Sequence, residues 1–234
     1  LIIRYGTEKH QKELLPGILK GESYFCIGMS EPDSGSDLAA LRTKAEKIGD
    51  IYLVNGTKLW TSGAHRCQYM IALFRTSQEE DRHGGFSQFI VDLSLPGVTI
   101  RPIIDLAGRH HFNEVIFEDV EVPEDMLIGN EGNGWNQVTA ELALERSGPE
   151  RYLSSYMLLQ ELVNEFSNKN DDEGVTEIGR QMSHLTTLRQ MSVSVAGMLD
   201  QGENPALEAS VVKDLGAVFE QELPNIAHRL MGLE

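Results

Sequence analysis

The chain has 234 residues, 41% of them hydrophobic, and a formal net charge of −16. That apolar content supports packed cores and excludes global disorder, while the acidic balance argues against nucleic acid and against an anionic membrane surface. Two cysteines, Cys26 and Cys67, are too few for a disulfide framework and fit a reducing compartment, and no apolar run reaches the length of a membrane span.

The chain opens on Leu1-Ile-Ile-Arg-Tyr-Gly-Thr without an initiator Met or signal peptide, and it closes inside apolar sequence at Leu230–Glu234. Both ends read as the interior of a longer protein. Residues 8–20 have helical character, with Leu14 and Leu15 ahead of a Pro16-Gly17 break. From about Tyr24 to Val122 the pattern changes to short strands between turns. Ile51–Val54 lies between Gly49-Asp50 and Asn55-Gly56, both good hairpin-turn pairs. Tyr69–Phe74, Phe86–Val91 and Glu114–Phe117 follow as strands, with a further turn at Pro96-Gly97. This spacing predicts a compact β-barrel or sandwich.

After Pro123 the period switches to helical. Residues 129–134 form a loop, and a helix starts at Trp135. Tyr152, Tyr156, Leu159, Val163 and Phe166 share one apolar stripe, and Ser167–Gly174, with Asn168 in it, is a polar loop. Ile178, Met182, Leu185, Leu188, Val195 and Leu199 form a second stripe that Gly202 ends. Asn204-Pro205 reads as the N-cap and first residue of a last helix, which Pro224 kinks or ends. The fold class is α+β, divided into an N-terminal helical remnant (1–22), a β-domain (23–124) and a helical bundle (125–234).

Two segments carry chemical information. The loop at 29–37, Met-Ser-Glu-Pro-Asp-Ser-Gly-Ser-Asp, turns tightly and can point N–H groups and hydroxyls at an anion. Trp60-Thr61-Ser62 sets an aromatic plane beside two hydroxyls at the end of a strand-like run. Alone, each is better explained by a turn or by packing. Together they form two sides of a pocket for a flat, phosphate-bearing cofactor. His65, His83, His110 and His111 have no acidic or cysteine partners at metal-ligand spacing, so no metal is expected. Asp119, Glu121, Glu124 and Asp125 read as a solvated acidic run.

Four motifs in order, Ser30–Asp37, Asn55–Ser62, Phe117–Pro123 and Ile128–Trp135, make the chain resemble the acyl-CoA dehydrogenase family of flavoenzymes over nearly its whole length. The resemblance implies an N-terminal helical domain, absent from this chain, a middle β-domain and a C-terminal helical bundle. It implies FAD bound between β-domain and bundle with help from a neighbouring subunit. By the same resemblance Met29 and Ser30 line the flavin ring, Trp60 covers it, and Thr61 and Ser62 sit at the flavin edge. Gly35 and Ser36 match positions at the FAD pyrophosphate, and Ser36 also reaches the CoA part of the substrate.

The implied reaction removes the α-proton of an acyl-CoA and transfers the β-hydride to flavin, with a carboxylate as base. In much of the family that base lies beyond the position of Glu234. In a smaller group it lies in a Leu-x-x-Glu-Arg pattern, which Leu142–Arg146 matches, making Glu145 the candidate base and Arg146 a substrate-side arginine. The competing reading of Glu145 is an exposed residue paired with Arg146 or Arg151. The Arg-x-Gln-Phe-Gly motif that serves FAD of the partner subunit in most members is missing; the stretch reads Asn164–Gly174. Three functional expectations follow. The first is an acyl-CoA dehydrogenase passing electrons to an electron-transfer flavoprotein, as a homo- or hetero-oligomer in bacterial cytoplasm or mitochondrial matrix. The second is a partial-site subunit of a heteromeric enzyme, and the third a flavoenzyme of this fold with a non-CoA substrate.

Overall fold

The computed structural model describes residues 1–167 and 169–232, so Asn168 of the expected polar loop and Leu233 and Glu234 at the apolar end lie outside the described residues. The chain divides into two compact units, Leu1–Val138 and Thr139–Glu234. The division falls inside a helix rather than at 124/125, and the N-terminal helices belong to the first unit.

In that unit α1 (Ile2–Tyr5) and α2 (Glu8–Lys20) come first. Thr7 and His10 cap α2 reciprocally: Thr7 Oγ1 accepts from the His10 N–H at 3.2 Å, and His10 Nδ1 accepts from the Thr7 N–H at 3.3 Å. Pro16-Gly17 does not break the helix, which runs on to a left-handed Gly21. Ahead of the proline, Leu14 is buried with Ile2, Ile90 and Ile128 in a small core of its own.

Eight strands follow: β1 (Phe25–Gly28), β2 (Lys44–Ile48), β3 (Ile51–Ser62), β4 (Tyr69–Arg75), β5 (Phe86–Asp92), β6 (Val98–Ile104), β7 (His110–Pro123) and β8 (Leu127–Ile128). They form one connected sheet in the order β6-β7-β3-β2-β4-β5-β8, with β1 parallel to β4. Residues alternating inward from β3, β4, β5 and β7, among them Tyr52, Met70, Phe74, Phe89 and Phe117, close one main core.

The β2–β3 hairpin turns at Gly49-Asp50, as the sequence predicts, with Gly49 at φ 65°. Asn55-Gly56 does not turn. It lies within β3, where Glu118 and Asp119 of β7 bulge opposite Asn55. The Asn55 amide grips that bulge, donating to Asp119 Oδ1 and accepting from the Asp119 N–H, both at 2.9 Å. Gly56 is required here because a Cβ would come within 2.5 Å of Thr43 Oγ1, at a φ of 147°.

α3 (Gly134–Arg146) spans the division, and α4 (Tyr156–Phe166), α5 (Asp172–Asp200) and α6 (Ala206–Met231) make up the second unit. Its core gathers Leu159, Leu162, Phe166, Leu188 and Phe219. Two stripe residues depart from expectation: Tyr156 and Met182 are exposed, and Leu162 fills the core. The N-cap of α6 is Pro205 rather than Asn204, and the helix continues through Pro224, whose neighbours Leu223, Ile226 and Ala227 are buried. The architecture is therefore α+β, a curled β-sheet unit followed by helices.

Candidate functional site

The loop after β1 is fixed from below. Glu31 and Ser34 exchange main-chain hydrogen bonds of 2.7 and 3.1 Å, closing a turn. The Ser30 carbonyl accepts from the Leu59 N–H at 2.8 Å, tying the loop to β3 one residue before Trp60. Lys58, fully buried, donates to the Met29 carbonyl at 3.1 Å and to Glu31 Oε1 at 2.8 Å. The Glu31 carboxylate also accepts from the main-chain N–H groups of Arg42 (2.6 Å) and Thr43 (3.0 Å). Burial pushes the Lys58 ammonium down to about 8 against the raising influence of Glu31. Burial alone would raise Glu31, but the Lys58 charge and the hydrogen bonds outweigh it and hold the carboxyl below its ordinary value.

The tip of the loop is open. Gly35 and Ser36 are exposed, and nothing lies within 4 Å of where a Gly35 Cβ would stand. Ser34 Oγ donates to the Asp37 carbonyl at 3.0 Å and Asp37 pairs with Arg82, so the tip is held at both flanks.

Next to the tie between Ser30 and Leu59, β3 bulges. Lys58 pairs with Val115 and Thr61 with Asn113, so Leu59 and Trp60 together face Glu114. Trp60 takes a left-handed φ of 61°, a conformation that costs a non-glycine residue roughly 1–3 kcal/mol. The indole packs edge-on against Phe112 at 6.0 Å and is otherwise 56% exposed. It walls a cleft of about 500 Å³ with Ile103, Leu106 and Phe112. Thr61 Oγ1 is buried and has no hydrogen-bond partner among the described residues. The exposed indole plane over this largely apolar cleft fits a flat ring, as FAD has.

The structure thus brings Met29, Ser30, Trp60, Thr61 and Ser62 together, with Gly35 and Ser36 at the exposed tip of the same loop. Sequence reasoning missed Glu31, Lys58 and Asn113, because their partners are far away in sequence. His65, which is exposed, and His110 stack with ring centroids 3.8 Å apart, and both hydrogen-bond the buried Asn113.

In the second unit Glu145 is exposed near the end of α3 and ion-pairs with Arg151. Arg146 Nη1 donates to Ser210 Oγ of α6 at 3.1 Å. Ser192 of α5 donates to the Ser147 carbonyl at 2.6 Å, clamping the chain just after these two residues. One turn earlier, Glu141 has a buried Oε2 without a hydrogen-bond partner among the described residues, and burial pushes its carboxyl above the ordinary value.

Among the described residues no group of three or more His, Cys, Asp or Glu could hold a metal ion, and no helix is long and apolar enough to cross a membrane. Of the acidic run, Glu124 and Asp125 pair with Lys47 and Lys9.

Residues 26–120 match the family model for the acyl-CoA dehydrogenase middle domain, the segment that carries both the loop and the bulge. The chain belongs to the acyl-CoA dehydrogenase family. It is 43% identical over 242 residues to acyl-CoA dehydrogenase FadE29 of Mycobacterium tuberculosis, covering 97% of this chain and 60% of that one. The ChsE4-ChsE5 complex of Mycobacterium tuberculosis superposes with a TM-score of 0.82 at 30% identity, over 99% of this chain and 62% of that one. The Tcur3481-Tcur3483 steroid acyl-CoA dehydrogenase gives 0.86 at 27%, over 99% and 61%. The chain thus spans about three fifths of the length of the relatives it matches.

Proposed function

We propose that the protein is an FAD-dependent acyl-CoA dehydrogenase that forms α,β-unsaturated thioesters. The observation that carries this reading is Trp60, exposed and held in a left-handed conformation one residue after Leu59, whose N–H is tied to the Ser30 carbonyl of the 29–37 loop. FAD, when bound, supplies the hydride acceptor. The chain's part is to bind and orient it. Trp60 would cover the ring, Thr61, Ser62 and Ser30 would stand at its polar edge, and the N–H groups at Gly35 and Ser36 would serve the pyrophosphate. Ser36 and Arg146, each within its own unit, are the residues assigned to the thioester substrate. Glu145 takes the α-proton at its carboxylate, and Arg151 orients that carboxylate through the ion pair. Electrons leave to an electron-transfer flavoprotein in a reducing compartment. The likeness to a steroid acyl-CoA dehydrogenase makes steroid thioesters the first substrates to try.

A second reading, a partial-site subunit of a heteromeric enzyme, is favoured by the Asn164–Gly174 stretch in place of Arg-x-Gln-Phe-Gly and by the likeness to a two-protein complex.

Substitution Glu145→Gln in the full-length protein tests the base. FAD stays bound and its reduction by acyl-CoA disappears; reduction at the wild-type rate would move the base to another carboxylate.

A further inference from the structure

The geometry points to Asn113 as a positioning residue for the Trp60–Thr61 bulge, anchored by the stacked pair His65 and His110. Asn113 sits in β7 opposite Thr61, at the first paired position past the bulge, and is fully buried. Its Nδ2 donates to the Thr61 carbonyl at 3.0 Å. Its Oδ1 faces His65 Nδ1 at 3.2 Å and His110 Nε2 at 2.7 Å. Arg66 Nε donates to His65 Nε2 at 2.9 Å, so the proton of a neutral His65 ring lies on Nδ1 and donates to Asn113. The amide orientation follows: its oxygen must face the two ring N–H groups and its nitrogen the carbonyl.

This network has a specific task. Trp60 is in a conformation that L-residues avoid, and such a residue keeps it only where its surroundings over-determine it. On one side the Leu59 N–H is tied to the Ser30 carbonyl. On the other, the tie that involves a side chain is the bond from Asn113 to Thr61. The histidines touch neither Trp60 nor Thr61 among these bonds; they act through Asn113 by fixing which way its amide points. Removing them frees the amide to turn, the Thr61 carbonyl loses its donor, and the bulge relaxes.

The role in holding Trp60 needs no cofactor; the consequence for FAD rests on the flavin reading above. Both are measurable in this chain, whose two tryptophans are Trp60 and Trp135. With Trp135→Phe as background, Trp60 fluorescence reports the bulge directly. Asn113→Ala could simply unfold a buried site, so the decisive variants are at the histidines: His65→Ala with His110→Ala, and the pair His65→Gln with His110→Gln, which keeps side-chain N–H donors. The alanine pair is expected to shift Trp60 emission and raise its quenching by acrylamide. It is also expected to weaken FAD binding by about fivefold to tenfold, the scale of one lost hydrogen bond. The glutamine pair recovers most of both. Unchanged Trp60 emission and quenching in the alanine pair would overturn the proposal, as would equal loss in both pairs. If the unsubstituted chain binds no FAD, the flavin reading fails while the Trp60 signal still decides the positioning role. His65→Ala alone, at an exposed ring, replaces the pair if the double substitution lowers the melting temperature.

Discussion

Lys58 Nζ and Glu31 Oε1 lie 2.8 Å apart, with 0% and 7% of their side chains exposed, so strand β3 and the 29–37 loop are joined by an ion pair sealed from water. Removing one partner of such a pair strands the other charge, at a cost of about 3–5 kcal/mol, whereas replacing both with apolar residues is far milder. Lys58→Met alone should therefore lower the unfolding free energy by about that amount in urea titrations. The double substitution Lys58→Met with Glu31→Leu should recover much of the loss. Equal destabilisation by the single and double substitutions would show that the charges themselves matter little.

The same pair sets an acid limit. The folded-state carboxyl of Glu31 is held below its ordinary value of 4.5, so its contribution is fully present above 4.5 and is lost as pH falls through the lowered value. Urea midpoints of the unsubstituted chain and of Glu31→Gln should converge as pH falls from above 4.5 through the lowered value. A gap independent of pH would assign the stabilisation to packing.

Thr61 Oγ1 makes the opposite trade, because a buried hydroxyl without a partner costs stability in the free chain. Thr61→Val, of nearly the same shape, should raise stability by about 1 kcal/mol in thermal unfolding and weaken FAD binding about tenfold. A destabilised Thr61→Val chain would mean that the hydroxyl is satisfied without the cofactor.

At Trp60 the backbone conformation reverses a familiar ranking. In a strand Gly is ordinarily worse than Ala by roughly 0.5–1 kcal/mol, but a left-handed φ costs an L-residue about 1–2 kcal/mol that Gly avoids. Both substitutions lose the Phe112 contact equally, so Trp60→Gly should be more stable than Trp60→Ala. Ala as the more stable of the two would remove the strain at this position.

The sequence displayed the site's surface better than its supports. The 29–37 loop and Trp60-Thr61-Ser62 were visible because turn chemistry and an aromatic beside hydroxyls are local signals. Lys58 and Asn113 were not, since each meets its partners only when distant strands pair: Lys58 with Glu31, 27 positions away, and Asn113 with Thr61, 52 positions away. Local signals also misled where packing overrode them. Asn55-Gly56 is a strong turn pair, yet the hairpin already turns at Gly49-Asp50, and the pair serves a bulge instead. Pro16 and Pro224 read as helix ends, yet both helices run through them; Ile226 and Ala227 are buried beyond Pro224, whereas past Pro16 the first long helix runs on to Gly21 with Ile18 and Leu19 exposed.

The central claim is that the protein takes an electron pair from an acyl-CoA thioester into FAD, and flavin absorbance tests it most directly. The full-length protein, purified and kept anaerobic, should carry the absorbance of oxidised flavin, and that absorbance should bleach on adding a steroid or fatty acyl-CoA. Bleaching by a nitroalkane or an aromatic compound and by no acyl-CoA would contradict the account, as would a folded protein that binds no flavin at all.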